Sequence, residues 1–176
     1  MKLLLTLKDN EFPYEGYDHV RDISRGIVYN DEGEIALIHV VADDIFGHRD
    51  LYETPGGGKE KGETNLEAFK REIKEEIGVI VDDIEEIGRV VDYYNLIKRK
   101  NNNHFYLGHV KEYLNETHLC DYEKKFFQEI VWVDIRNAIT LNDELSNNKI
   151  KNIVQAREKP IILKAIKMLK RKGILK

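Results

Sequence analysis

The stretch from Gly57 to Val79 constrains this chain more than any other part of it. Glu72, Glu75 and Glu76 fall within a short helical segment, and the run Pro55-Gly56-Gly57-Gly58 lies just upstream. Like charges at i and i+4 repel by a few tenths of a kcal/mol, so the arrangement calls for something positive among the carboxylates. Thr64 followed by Glu67 reads as a capping box that opens the helix, and Gly78 reads as its stop. Leu66, Phe69, Ile73 and Ile77 form the stripe of a helix packed on a core. At about 100° per residue, the three glutamates cover roughly a 100° arc beside that stripe, so they should border a cleft at the edge of the core. Arg71 reads as pointing away from these acids, paired with Glu67 one turn back or with Glu63 before the helix.

Hard divalent ions such as Mg²⁺ and Mn²⁺ take carboxylate and carbonyl oxygens, and Mg²⁺ commonly binds together with substrate phosphates. Glycines let the backbone approach a ligand closely, and their N–H groups can donate to phosphate oxygens. Each glutamate alone reads as an ordinary solvated helix face, and a glycine loop alone says little. Their conjunction favours a metal site serving a phosphate substrate.

The rest of the chain sets the frame. At 176 residues it fits a single domain. It is 41% hydrophobic and 34% charged, a composition of soluble globular proteins. One cysteine, Cys120, cannot form an intrachain disulfide and has no evident partner as a nucleophile, which suits a reducing compartment. The apolar N-terminal run ends at Lys8, too short for a secretory core, and no stretch is long enough to span a membrane. The expected location is cytoplasmic. Charge is uneven: residues 149–176 hold ten Lys or Arg and one acid, a net of +9. That basic tail could meet an anionic partner such as nucleic acid, although a solvated lysine face is the plainer reading.

Residues 1–16 are expected to form a small hairpin. Asp22–Tyr29 and Ile35–Val41 read as a hairpin around the turn Asn30-Asp31-Glu32-Gly33. Residues 42–50 read as a loop and Leu51–Glu53 as a short strand. Ile84–Tyr94 and His104–Tyr113 form a longer hairpin whose tip is Lys98–Asn103, and Phe127–Val133 is a further strand. Short helices are expected over 134–138 and 147–155. A final basic helix over about 160–172 has Pro160 in its first turn. Strands paired as hairpins with interspersed helices indicate an α+β fold or an α/β/α sandwich on a mixed sheet.

The central stretch resembles the box of the Nudix hydrolases, G-x5-E-x7-R-E-U-x-E-E-x-G-U with U bulky and aliphatic. Gly57, Glu63, Arg71, Glu72, Ile73, Glu75, Glu76, Gly78 and Val79 match it with every spacing kept. The resemblance covers 23 of 176 residues and implies the Nudix α/β/α sandwich. It also implies hydrolysis of a nucleoside diphosphate linked to another group, with Mg²⁺ or Mn²⁺. By resemblance, Glu72 and Glu76 are the principal metal ligands, joined by Glu75 and the Gly57 carbonyl. Arg71 and Glu63 become a structural pair, and Glu75 or Glu72 the general base. Glu129 resembles an extra acidic ligand outside the box, or is an ordinary strand-end glutamate.

Substrate contacts are expected from Gly56 and Gly58, from Arg21 and Arg25, from His48 and Arg49, and from Tyr93 and Tyr94. Arginine can grip phosphate and tyrosine can stack on a base. Surface ion pairs and aromatic packing are the competing readings for these residues. His104 and His109 lack metal-ligand spacing and read as structural. The expected partner is a small nucleotide-type diphosphate, with no membrane, and a homodimer is compatible with the sequence. Two other readings stand beside the enzyme: a non-catalytic nucleotide-sensing module, and an RNA-directed pyrophosphohydrolase that uses the basic tail.

Overall fold

The computed structural model describes residues 1–114, 116–119, 123–145 and 149–176. In chain order it contains β1 (Leu3–Leu7), β2 (His19–Tyr29), β3 (Glu34–Asp44), β4 (Gly47–Glu53) and β5 (Gly56–Gly58). Helix α1 (Asn65–Ile77) follows, then β6 (Val79–Tyr94), β7 (Arg99–Tyr113), a single turn α2 (Glu123–Phe126), β8 (Phe127–Asp134) and the long α3 (Lys149–Lys172). The strands form one mixed sheet in the order β1-β6-β7-β2-β3-β4, with β5 added to β2 and β8 added to β3. The fold is therefore α+β, with helices on both faces of a mixed sheet, as the sequence indicates.

Two apolar layers sandwich that sheet. On one face Phe69, Ile73 and Ile77 of α1 pack with Val28, Ala36, Ile38 and Val110. On the other, Ile161, Ile162, Ala165 and Leu169 of α3 pack with Ile27, Leu37, Phe105 and Leu107. Strict alternation along β2 and β3 sends neighbouring residues to opposite layers, as the period of two requires. Leu66, read as part of the helix stripe, is 38% exposed, because the stripe leaves the sheet in the first turn of α1.

β2 and β3 share only the pair Tyr29↔Ile35. Beyond it they part: β2 takes β5 antiparallel at Ile23–Arg25 and β7 parallel along its whole length. β3 instead pairs with β4 and β8. The expected hairpin is thus a turn whose two strands find other partners, and the opening between them receives the glycine loop.

Other expectations change for similar reasons. No hairpin forms over residues 1–16; β1 pairs parallel with the edge of β6, Leu7 opposite Asp92, because Leu5 and Leu7 gain more burial there than in an isolated ribbon. Residues 42–50 are not a loop but most of the β3–β4 hairpin, with Ala42↔Arg49 and Asp43↔His48 in register. The tip of the long hairpin is Asn95–Lys98, and Arg99–Asn103 belong to β7. Near residues 134–138 the helix is a single 3-10 turn, Asn137–Ile139.

The helices expected over 147–155 and 160–172 are one helix, α3, in its described part, with Pro160 inside it. Proline removes one intrahelical hydrogen bond. The turn before it holds because Arg157 and Glu158 are buried and ion-paired there. Residues 147 and 120 lie outside the described residues. No helix among the described residues is long and apolar enough to cross a membrane.

Candidate active site

The capping box at Thr64 is complete. Its hydroxyl accepts from the Glu67 N–H, and the Glu67 carboxylate accepts from the Thr64 N–H. Glu67 is thereby committed to the helix start, which leaves Arg71 to Glu63. The helix ends on Gly78 in the left-handed region, φ 65°, as a C-terminal glycine allows. Between these stops, α1 turns Glu72 and Glu76 toward β5, both almost fully buried.

β5 meets the glutamates with its backbone. The Gly56 N–H donates to Glu76 Oε2 at 2.6 Å. Gly56 has φ 139°, a conformation that side-chain-bearing residues rarely adopt. At Gly57 a Cβ would stand 2.5 Å from Glu72 Oε1, so a side chain there would displace the carboxylate from the strand. Gly58 faces the other way, where a Cβ would stand 2.5 Å from Arg21 Nη2. The glycine strand thus runs between the box glutamates and Arg21, which border one opening.

Arg71 corrects one expectation. Its Nη1 donates to Glu72 Oε1 at 2.8 Å and to Glu75 Oε2 at 3.0 Å. Its Nη2 and Nε reach Glu63, and Nη2 also donates to the Gly58 carbonyl. One guanidinium therefore ties the loop to the helix and also points among the acids, because a planar fork with five donors can serve several carboxylates at once. The Glu63 bonds, with further help from Glu72 and Glu75, raise its affinity for its proton. Arg71 supplies part of the positive charge that the glutamate cluster demands.

The remainder is unmet at Glu76. Burial pushes its carboxyl up to about 8, against the help of the Gly56 N–H, and the charges of Glu72 and Glu53 push the same way. Such a group gains from a nearby cation. Among the described residues no group of three His, Cys or acidic side chains is already arranged to hold an ion; Arg71 donates to Glu72 and Glu75, and Gly56 to Glu76. The donor set nevertheless fits a hard divalent ion: two buried carboxylates, a half-exposed third, and the backbone of a glycine strand pressed against them.

Glu53 is a participant that the sequence reading missed. It ends β4, three residues before Gly56, and accepts from Arg25 Nη1 at 3.2 Å and Arg157 Nη2 at 3.0 Å. Burial would raise its carboxyl, but Arg25, Arg157 and Arg49 together hold it below the usual range. Its signal in the sequence was its place just before Thr54-Pro55-Gly56, which is visible only once β4 is known to feed the loop.

The expected substrate residues divide. Arg25 lies opposite Gly56 in register and donates to the Thr54 carbonyl at 3.0 Å as well as to Glu53. Arg49 pairs with Asp44 at 2.8 Å, and Tyr94 is buried with its hydroxyl on Arg157. All three line one cavity of about 450 Å³ together with Phe46, Phe126 and Arg99. Arg21 instead borders the opening over Gly57, Glu72 and Glu75, with Lys59 and His118. Tyr93 packs with Tyr14 and Tyr17 away from the box, and His48 pairs with the exposed Asp43.

Glu129 does not join the glutamates. It is 61% exposed, 3.7 Å from His39 Nδ1. It shares the side of β8 with Val131 and Val133, which pack toward the α3 layer, whereas α1 lies on the side of Ile130 and Trp132. Strand alternation turns it away from the site. His104, held below its usual value by burial, contacts Asn65. His109 pairs with Asp31 at 2.8 Å; both are structural.

The fold and this box define a class of enzyme, and comparison with known proteins bears it out. The model of the NUDIX domain matches residues 21–155, and the chain belongs to that family. It is a Nudix-type hydrolase, of a family that cleaves pyrophosphate bonds in small nucleotide-type substrates and generally uses divalent metal ions.

Among solved structures, the MutT NUDIX hydrolase from Burkholderia pseudomallei superposes with a TM-score of 0.58 at 17% identity, over 79% of this chain and 98% of that one. A NUDIX hydrolase from Nitrosomonas europaea gives 0.55 at 16% identity, over 66% of this chain and 74% of that one. The E. coli ORF135 protein in solution gives 0.51 at 20% identity, over 86% and 91%. These likenesses show the shared fold. No curated protein matches the chain.

Proposed function

We propose that this chain uses a divalent metal ion, Mg²⁺ or Mn²⁺, to hydrolyse the diphosphate bond of a nucleoside diphosphate linked to another moiety. The observation that carries the reading is Glu76, a buried carboxylate lifted to about 8 by burial beside Glu72. A cation would relieve that situation, and a chain built for stability alone would avoid it. Glu72 and Glu76, with Glu75 and the Gly57 carbonyl, are the groups that would hold the ion. When bound, the ion neutralises the diphosphate charge and makes a water more acidic.

The chain's own residues do the rest. Arg71 bridges Glu72 and Glu75 through one nitrogen and fixes β5 against α1. Glu75, half-exposed at the opening, is placed to accept the proton of the attacking water, a role shared in reach by Glu72. Arg21 stands over Gly58 at the same opening and is placed to grip a phosphate oxygen. Arg25, anchored on Glu53 and Thr54, fixes the loop end of the cavity.

The basic tail favours a small substrate over RNA, because much of its charge is spent inside the chain. Arg157 is buried, Lys172 bridges Asp83 and Glu85, Lys159 pairs with Asp143, and Lys151 and Lys164 donate to backbone carbonyls. The test is a screen over nucleoside diphosphate derivatives with Mg²⁺, Mn²⁺ or EDTA, in which an added phosphomonoesterase releases phosphate from the monophosphate ends that hydrolysis of the diphosphate bond creates. Metal-dependent release that disappears in Glu76→Gln supports the reading. Equal release in EDTA, or in Glu76→Gln, overturns it.

A further inference from the structure

The cavity beside the box holds more positive charge than the chain itself neutralises. Its apolar wall is Phe46, Phe126, Leu51, Ile97, Ile150 and Val154. Its polar wall has three arginines, and two of them are paired: Arg25 with Glu53 and Arg49 with Asp44. Arg99 has no ion pair and no hydrogen-bond partner among the described residues. Its guanidinium lies 5.5 Å from the centroid of the Tyr94 ring.

The Nε atoms of Arg25, Arg49 and Arg99 are all buried without a hydrogen-bond partner. A desolvated guanidinium N–H with nothing to donate to is costly. Burial first, then the charges of Arg21 and Arg25, hold Arg99 below its usual value, against the opposing charge of Asp92. Tyr94, pushed up to about 12 mainly by burial, stays neutral and cannot supply the missing charge.

The cavity is also joined to the box. Arg25 faces Gly56 across the β2–β5 ladder, and the Gly56 N–H holds Glu76. A substrate that spans the glutamates and the cavity would pass Arg25, which lines the cavity and pairs with the glycine strand. The far side of its path is a neutral aromatic wall.

We propose that the cavity binds the group beyond the scissile diphosphate, and that this group is a ring bearing a further phosphate seated on Arg99. The inference rests on the proposed hydrolase reading for the identity of the substrate, and on the unpaired Arg99 guanidinium in the cavity for its charge. The preferred substrates are then those with an anionic group at both ends: a diphosphate on the box and a second phosphorylated ring in the cavity. Phe46 and Phe126 cover the ring.

Two measurements test this. In the first, pairs of nucleoside diphosphate derivatives with and without the distal phosphate are compared by kcat/KM. Wild type should prefer the phosphorylated member, and Arg99→Gln should cut that preference by about tenfold to a hundredfold, the worth of a charge-assisted hydrogen bond, through KM. Arg99→Lys, which keeps the charge, should recover part of it. The absence of a preference in wild type, or an equal preference in Arg99→Gln, overturns the proposal.

The second measurement separates this proposal from the hydrolase reading. Inorganic pyrophosphate is titrated in EDTA, where the box glutamates repel anions, and thermal stability is followed with acetate at matched ionic strength as the control. Wild type should be stabilised by pyrophosphate and not by acetate, and Arg99→Gln should lose that response. No response in wild type, or the same response in Arg99→Gln, overturns the arginine site even if the enzyme proves active. A response that depends on Arg99 in a protein without hydrolase activity upholds the site and overturns only the reaction.

Discussion

Two clusters of buried charge stand on either side of the glycine strand, and they are built on opposite terms. Around Arg157 nearly every charge is answered: its guanidinium donates to Glu158 at 2.8 Å, Glu53 at 3.0 Å, the Tyr94 hydroxyl at 3.2 Å and Asp92 at 3.4 Å. Asp92, fully buried, also accepts from Asn101 at 2.7 Å and Asn103 at 2.9 Å. In the box, one guanidinium, that of Arg71, reaches Glu63, Glu72 and Glu75, and Glu76 accepts only the Gly56 N–H among the described residues. The first cluster ties α3 to β4 and β6 through Arg157 and leaves one Glu158 oxygen without a hydrogen-bond partner. The second crowds Glu72, Glu75 and Glu76 beside the one guanidinium of Arg71, and it is the cluster proposed above to take a cation. Buried charge by itself marks neither function nor stability; the balance of charge within the cluster does.

The comparison can be broken most sharply at the box. Glu76→Gln is expected to lower turnover by about a thousandfold or more, ~4 kcal/mol of transition-state stabilisation, while the fold persists. Glu75→Gln should also lose orders of magnitude. Near wild-type turnover in either variant, measured with Mg²⁺ and with circular dichroism as the folding control, would place the chemistry elsewhere.

Arg157→Ala should do the reverse, costing about 3–5 kcal/mol of stability because Glu158, Asp92 and Glu53 lose a buried partner. Chemical denaturation would measure it, and a loss under ~1 kcal/mol would mean that water enters the cluster. Family resemblance gives no warning of this residue, since the matched region ends at residue 155.

The pH response separates the clusters on a smaller scale. In the folded metal-free protein Glu76 titrates at about 8, against 4.5 as its ordinary value. The folded chain therefore keeps a proton that the unfolded chain has released. This contribution to stability is complete below about pH 4.5 and is lost as pH rises through about 8. Denaturation midpoints in EDTA should show that decline in wild type, and it should be absent from Glu76→Gln. Parallel curves for the two proteins would show that Glu76 is not the group out of balance.

The smallest expected effect belongs to Glu129→Gln. Exposed and turned to the opposite layer, it should change stability by no more than about 0.5 kcal/mol and turnover by no more than about twofold. A large loss of activity would bring Glu129 back among the metal-binding residues.

Local patterns were legible wherever the physics is local. The capping box at Thr64 and Glu67, the stop at Gly78, the buried stripe of Phe69, Ile73 and Ile77, and the pairing of Arg71 with Glu63 depend on residues within a few turns of one another. The direction of Arg71 was misjudged because helical angle describes where a side chain starts, and a long guanidinium can reach back to Glu72 and Glu75. The N-terminal hairpin and the loop at 42–50 failed because edge pairing is decided by partners far along the chain: β1 by β6, and β4 by β3. Pro160 was taken for a helix start because the buried ion pairs that carry the helix through it have no local signature. Glu129 depended on strand parity relative to a layer that no spacing records.

The sequence by itself determined the box: which carboxylates crowd together, where their helix starts and stops, and why glycine precedes them. Those are consequences of 3.6-residue periodicity and backbone geometry over 23 residues. Only the tertiary structure decided what surrounds it. By parting β2 from β3, the fold laid Gly57 against Glu72, brought Glu53 from β4 and Arg157 from α3 to Arg25, and set Arg99 over Tyr94. Those meetings join positions far apart in the chain, and burial then gives each charge a weight that it does not have in water.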